Sequence, residues 1–264
     1  MIRIISVVLI TLLVASCSPY QKALKSEDMA VKYEEAEKQY DKGKYSKAIR
    51  LFEQMAPSFR GKPSAEKMYY MFAQSYYKTE QYYLAEYQFG SFVSGYPRSE
   101  KVEEASFLGA KSYSMLSRRY SLDQTETFKA IDKLQAFIDR YPDSQYLSEA
   151  NQLVKELREK IEKKVFENAK QYNLISDYKS AIVALDNFIA DYPGTPYREA
   201  AMYYKFDSAY KLAINSIPAK MEERLQNAKA AYNQFTKAYP ESKYRKDADE
   251  MLGKVEENLK QFIK

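Results

Sequence analysis

The side chain with the most distinctive chemistry is the thiol of Cys17, the only cysteine in the chain. A thiolate is a nucleophile that can carry a covalent group, and a single cysteine excludes an intrachain disulfide. The residues before it are ordered by type: Arg3 carries one positive charge, Ile4 to Val14 is almost purely apolar, and Ala15 and Ser16 are small. We therefore expect covalent chemistry at Cys17 and a fold that is stabilised by packing alone.

This arrangement resembles a bacterial lipoprotein signal peptide that ends in a lipobox, Val14-Ala15-Ser16-Cys17. The resemblance implies cleavage before Cys17, diacylglycerol on its sulfur and fatty acyl chains such as palmitate. The apolar run of about eleven residues is too short to cross a hydrocarbon core of roughly 30 Å. We expect a mature protein that is anchored by lipid. The alternative is an ordinary secretory signal, which would leave a free thiol in an oxidising compartment.

The composition argues against several classes of enzyme site. The chain has no His, so it lacks an imidazole base, a Ser-His-Asp triad and a histidine metal site. It has only 7 Gly, and glycine-rich loops that bind phosphate are absent from the sequence. Neither G-x-G-x-x-G nor G-x-x-x-x-G-K-[ST] occurs. Adjacent carboxylates such as Glu103 and Glu104 point about 100° apart on a helix and form no shared-proton dyad. We expect no enzymatic activity, no catalytic residue, no metal and no cofactor. The net charge of +5 is mild, and we expect no nucleic-acid partner.

The strongest internal pattern is F-x-x-x-Y-P-x-[S/T], which occurs at residues 92–99, 137–144, 188–195 and 235–242. Proline lacks an amide hydrogen and disfavours helical geometry in the residue before it. Serine and threonine are favoured helix N-caps. Each copy therefore predicts the end of one helix and an N-cap for the next.

An apolar stripe precedes each copy of this pattern. Ala181, Leu185 and Phe188 are spaced i, i+4, i+7 and share one helix face. A small residue followed one turn later by a large one lets two helices approach closely, as a helical hairpin requires. The matching positions are Ala85, Phe89 and Phe92; Ala130, Leu134 and Phe137; Ala228, Tyr232 and Phe235; and, earlier, Ala48, Phe52 and Met55.

These residues resemble the tetratricopeptide repeat. Clear copies run over 36–52, 73–97 and 169–193, and looser ones over 103–142 and 198–240. A last apolar stripe from Tyr244 to Phe262 predicts a capping helix. We predict an all-α tetratricopeptide-repeat helical solenoid of five degenerate repeats plus a C-terminal capping helix.

The predicted organisation has four parts. We expect a signal peptide in 1–16, a lipidated linker in 17–25, repeats 1–3 in 26–145, and repeats 4–5 with the capping helix in 146–264. Ser26 is the expected N-cap of the first helix.

The lipobox, five repeats and four Y-P-x-[S/T] corners together resemble the BamD family of outer-membrane assembly lipoproteins, also called ComL or YfiO. The resemblance implies insertion of β-barrel proteins into the outer membrane, docking on the POTRA domains of the barrel subunit BamA, and contact with unfolded barrel precursors. Ser18 and Pro19 follow Cys17 without the aspartate that marks inner-membrane retention in enterobacterial lipoproteins. We expect the outer membrane, with the protein facing the periplasm. The alternative is a pilotin-like or cell-envelope scaffolding lipoprotein.

A tetratricopeptide solenoid binds extended peptides along its concave face, which is lined by the first helix of each pair. The expected peptide-binding residues are Tyr33, Glu37, Tyr40, Lys67, Tyr70, Gln74 and Tyr77. Aromatic packing on tyrosine suits the aromatic end of a barrel precursor, and either Lys67 or Lys78 suits its terminal carboxylate. The alternative role for Tyr40 and Tyr77 is packing between helices.

The family resemblance places the dock for BamA in the C-terminal repeats, roughly 160–264. The candidate charges are Arg198, Lys205, Arg224 and Arg245, which would pair with acidic POTRA residues. The alternative is a solvated helix face, where exposed ion pairs contribute only about 0–1 kcal/mol.

Overall fold

The computed structural model describes residues 18–262, so Cys17 and the signal segment lie outside the described part. Within that part the chain forms helices and no strand, which confirms the prediction of an all-α fold. The helices are α1 (Pro19–Lys25), α2 (Met29–Asp41), α3 (Tyr45–Phe59), α4 (Ala65–Lys78), α5 (Tyr82–Gly95), α6 (Val102–Ser114), α7 (Thr125–Arg140), α8 (Leu147–Leu174), α9 (Tyr178–Asp191), α10 (Arg198–Ile214), α11 (Pro218–Ala238) and α12 (Arg245–Lys260).

Helices α2 to α11 follow one another as five hairpins, and consecutive helices are joined by short connections, except for the longer connection of residues 115–124 between α6 and α7. Short connections make neighbouring helices antiparallel. The last helix, α12, packs on α10 and α11, as expected for a cap. This is the arrangement of a tetratricopeptide-type solenoid, as predicted. No helix among residues 18–262 has the length and apolarity needed to span a membrane.

The contacts divide the chain into two compact units. The first comprises residues up to Arg118 together with Gln124–Leu157, and the second comprises Arg119–Asp123 with the residues from Arg158 onward. The boundary predicted from the sequence lies between residues 145 and 146. The structure differs because α8 is one uninterrupted helix that contributes its first part to one unit and its second part to the other.

The repeated F-x-x-x-Y-P-x-[S/T] corners share one geometry. The tyrosine N–H donates to the phenylalanine carbonyl at 2.8–3.0 Å and ends the helix. The serine or threonine N–H then donates to the tyrosine carbonyl at 3.0–3.3 Å, which closes a β-turn with proline in its preferred position. The hydroxyl accepts from the N–H two residues on at 3.0–3.3 Å, in the pairs Ser99 with Lys101, Ser144 with Tyr146, Thr195 with Tyr197 and Ser242 with Tyr244.

The prediction that these hydroxyls are helix N-caps is wrong. The N-caps of α6, α10 and α12 are Lys101, Tyr197 and Tyr244, two residues further on, and none of them makes a side-chain capping bond. The reason is that the proline builds a turn first. The serine or threonine N–H closes that turn, and its hydroxyl accepts the N–H two residues on, before the helix begins.

The apolar stripes form the cores of the hairpins, as predicted. Ala181, Leu185 and Phe188 of α9 are at most 1% exposed. In the same way, Ala85, Phe89 and Phe92 of α5 and their counterparts in α3, α7 and α11 are buried. The small residue in each stripe thus marks a close approach between helices.

The segment expected to be a linker, 17–25, is helical over residues 19–25. Helix α1 buries Tyr20 and Ala23 in the same core cluster as α2 and α3. The prediction that Ser26 caps α2 is wrong, because Asp28 accepts the Ala30 N–H at 2.8 Å. Ser26 instead ends α1 and accepts the N–H of Asp28 at 3.0 Å.

Candidate functional site

The seven predicted peptide-binding residues lie on α2 and α4, the first helices of the first two hairpins. Lys67 is exposed, and the other six side chains are half-buried. We call the surface that these two helices form with α6 the first-helix face. Its members are held by contacts to neighbouring helices and keep part of their surface open to solvent, which is what a binding surface requires.

An ion pair joins α2 to α4 across this face. The Lys67 ammonium lies against the Glu37 carboxylate, and this hydrogen bond is the main cause that raises the pKa of Lys67. The Lys67 side chain is nevertheless 63% exposed. Beside the pair, the Tyr33 ring stacks on Phe59 with the centroids 5.6 Å apart. The exposed Lys67 ammonium therefore lies beside the Tyr33 ring, which is held in place by Phe59.

Tyr70 is the best-anchored aromatic ring of the face. Its centroid lies 5.5 Å from that of Phe92 and 6.4 Å from that of Phe89. Its hydroxyl accepts from Gln74 Nε2 at 2.7 Å. Burial, followed by a hydrogen bond with Glu104, raises the pKa of Tyr70. The phenol therefore stays protonated at neutral pH, ready to donate or accept a hydrogen bond.

Tyr40 and Tyr77 occupy equivalent positions near the ends of α2 and α4. The Tyr40 ring meets Tyr45 edge-on at 5.5 Å, and the Tyr77 ring meets Tyr82 edge-on at 6.0 Å. In each case the partner is the first residue of the second helix of the same hairpin. These contacts agree with the alternative interpretation, in which both tyrosines fasten the two helices of a hairpin together.

The face continues onto α6, where none of the predicted peptide-binding residues lies. Glu104 hydrogen-bonds Tyr70 and pairs with Lys101 at 3.0 Å. Lys111 pairs with Glu149 of α8 at 2.6 Å, inside the first unit. The spacing of the repeats could have identified Glu104 from the sequence. Glu104 follows Lys67 by 37 residues, and the same spacing separates the signature alanines at 36 and 73.

The four predicted partner-binding cations in the second unit all have partners within the chain. Arg198 Nη1 donates to the Ile189 carbonyl at 2.9 Å. The other contacts are Lys205 with Asp186 at 2.5 Å, Arg224 with Ser216 at 2.5 Å, and Arg245 with Asp249 at 2.8 Å. A partner protein would therefore have to replace or extend these bonds.

Two of these cations share one groove. Lys205 and Arg224 line a groove of about 310 Å³ between α9, α10 and α11. Arg198 and Arg245 do not line it. The remaining lining residues are Ile182, Asp186, Ala209, Leu212, Asn227, Ala230, Ala231 and Gln234. The groove thus combines an apolar floor with two cations and one carboxylate, and only the cations are among the predicted site residues.

Comparison with known families decides the identity of the fold. A model described as YfiO, outer membrane lipoprotein, matches residues 25–174 and 160–262. The chain belongs to the YfiO family. Members of the YfiO family are non-enzymatic outer membrane lipoproteins, so the chain is associated with the outer membrane. The two matched segments overlap within α8. A search of curated proteins finds no match.

The described part of this YfiO-family chain contains no group of three or more acidic, cysteine or histidine side chains placed to hold a metal ion. Within residues 18–262 the candidate binding surfaces are the first-helix face in the first unit and, in the second unit, the groove lined by Lys205 and Arg224.

Proposed function

We propose that this protein is a non-enzymatic component of the outer-membrane β-barrel assembly machinery. It is anchored by lipid on Cys17 and faces the periplasm. Its first-helix face holds unfolded barrel precursors, and its second unit binds the POTRA domains of a BamA-like protein. The observation that carries the proposal is the YfiO match over residues 25–262, which favours this role over a pilotin-like or general scaffolding lipoprotein.

The first-helix face suits an extended chain with aromatic side chains. Phenylalanine rings hold Tyr33 and Tyr70, and both tyrosines keep part of their surface open to solvent, so packing an aromatic residue on them orders few new groups. At Tyr70 the incoming residue would meet the Lys101 ammonium, which lies 5.6 Å from the ring centroid. Lys67 supplies a cation for a terminal carboxylate. Exchanging the half-buried Glu37 partner for that carboxylate costs little, because the Lys67 side chain is 63% exposed and ion pairs at the surface contribute only about 0–1 kcal/mol.

Site-specific photocrosslinking tests the client surface. A crosslinking amino acid at Lys67, and a second at Tyr70, should capture barrel precursors during their synthesis. The matched control is Tyr83 of α5, which is 67% exposed and does not belong to the face. Capture at Tyr83 that equals capture at Lys67, or no capture at Lys67 and Tyr70, would contradict the proposal.

Charge reversal tests the partner surface. Lys205→Glu with Arg224→Glu should break the complex with the BamA-like protein, because both cations line one groove and would face acidic POTRA residues. The control reverses two exposed lysines of the same unit, Lys237→Glu with Lys246→Glu. Affinity purification from membranes reads out the complex. A complex that survives the groove variant as well as it survives the control would remove this assignment.

A further inference from the structure

The first residue that the structure describes, Ser18, directly follows Cys17, the proposed anchor residue. Ser18 is the N-cap of α1, and its hydroxyl accepts the Gln21 N–H at 3.3 Å. One peptide unit, about 3.8 Å between α-carbons, separates Ser18 from Cys17. A group attached to Cys17 therefore starts next to a helix.

Helix α1 is fixed to the first hairpin. Tyr20 is 6% exposed and Ala23 is fully buried against α2 and α3. The ammonium of Lys47, in the first turn of α3, lies 5.0 Å from the centre of the Tyr20 ring. The start of α1 therefore lies beside the start of α3, at the tip of the hairpin formed by α2 and α3.

The backbone of this tip is well defined. Gly43 has a φ of +68°, a conformation that favours glycine. Its N–H donates to the Tyr40 carbonyl and the Lys44 N–H donates to the Gln39 carbonyl, both at 2.8 Å, in a Schellman motif. Lys42 and Lys44 flank the glycine, so both side chains start from fixed positions.

The tip is strongly basic. Lys42, Lys44 and Lys47 are exposed, and Asp41 is the one carboxylate between residues 38 and 47. Helix α1 adds two further exposed lysines at 22 and 25 and no carboxylate. Lysines placed next to an anionic bilayer each strengthen the association about fivefold.

We propose that the tip of the first hairpin, through Lys42, Lys44 and Lys47, contacts the anionic phospholipid surface into which the acyl chains insert. This inference rests on the proposed acylation of Cys17, which would bring the tip to that surface. Acyl chains supply most of the anchoring. The lysines supply orientation, because they hold one edge of the first hairpin against the headgroups.

Vesicle cosedimentation tests the contact without the lipid anchor. The chain from residue 17 carries Cys17→Ser so that no acyl group can attach, and it is mixed with vesicles of phosphatidylcholine alone or with added phosphatidylglycerol. Binding should require phosphatidylglycerol and fall as salt rises. Lys42→Gln with Lys44→Gln should lower the partition coefficient by about 10- to 30-fold.

The matched control is Arg60→Gln with Arg98→Gln. Both arginines are exposed and belong to the first unit, but they lie at the other end of its helices. Helix α3 alone separates Arg60 from the tip by about 20 Å, which exceeds the screening length of about 8 Å at physiological salt. This control should bind almost as well as the parent chain.

Two results would overturn the contact: no binding to phosphatidylglycerol vesicles, or an equal loss in the lysine and arginine variants. The anchor itself is tested separately by the mass of the mature protein purified from membranes. An unacylated Cys17 would overturn the anchor, whereas the vesicle result depends only on the lysines, so the two failures are distinguishable.

Discussion

The side-chain amide of Asn173 donates to the Asp207 carboxylate at 2.8 Å and joins α8 to α10 within the second unit. The same amide donates to Ser208 Oγ at 2.8 Å, and Lys211 pairs with Asp207 at 2.6 Å. Asn173 and Asp207 are only 4% and 6% exposed. A buried carboxylate needs such partners because its charge is poorly solvated. This network therefore fixes how the two helices meet.

Asn173→Ala should lower the free energy of unfolding of the second unit by about 2–3 kcal/mol, because Asp207 loses a buried donor. Denaturant titration followed by circular dichroism measures the change. The control is Asn258→Ala, since the exposed Asn258 amide donates only to the Lys254 carbonyl of its own helix. An equal loss in the free energy of unfolding for the two variants would show that the buried network contributes no more stability than a hydrogen bond on an exposed helix surface.

Ser99→Ala should destabilise the first unit by about 1–2 kcal/mol. The Ser99 hydroxyl donates to the Glu66 carboxylate at 2.6 Å and ties the corner after α5 back to the start of α4. The corresponding Ser242 hydroxyl accepts the Tyr244 N–H at 3.1 Å, but has no carboxylate partner within residues 18–262. Ser242→Ala should therefore cost less, as measured by the shift of each unit's denaturation midpoint, and a larger cost at Ser242 would contradict this reasoning.

Two helical glycines should respond to substitution in opposite ways. A Cβ at Gly253 of α12 would meet nothing within 4 Å, so Gly253→Ala should stabilise by about 0.5–1 kcal/mol through helix propensity. A Cβ at Gly109 would lie 3.2 Å from the Cβ of the fully buried Phe89. Gly109→Leu should therefore destabilise by about 1–3 kcal/mol. Thermal unfolding measures both, and stabilisation by Gly109→Leu would show that α5 and α6 are not closely packed.

Asp249 should stabilise the fold at neutral pH, and this contribution should be lost in acid. Hydrogen bonds from Tyr232 and then Arg245 lower the pKa of Asp249 in the folded state. Because the folded pKa is depressed, this contribution is present above the unfolded pKa of about 3.9 and is lost as the pH falls through the lower folded value. Denaturation midpoints of the wild type and Asp249→Asn should differ at neutral pH and converge in strong acid. A difference that grows in acid would contradict this assignment.

The helices and their cores could be predicted from the sequence because they follow local rules. The stripe of Ala181, Leu185 and Phe188 is one helix face whatever packs on it, and a proline ends a helix through its own ring. Most residues of the candidate site could also be placed on helices. The hydroxyl of Ser99 was misassigned because a turn and a helix N-cap use the same side chain, and only the geometry of the turn distinguishes them.

By itself, the sequence determined the period of the repeats, the helical class, the covalent chemistry expected at Cys17 and the family to which the motifs point. The tertiary structure alone decided that α1 docks on the first hairpin, that Glu104 extends the face of Tyr70, and that Lys205 and Arg224 share a groove. The physical reason is the distance along the sequence between the residues that interact. A helix follows from residues three and four apart, whereas a surface depends on how side chains far apart in sequence pack together.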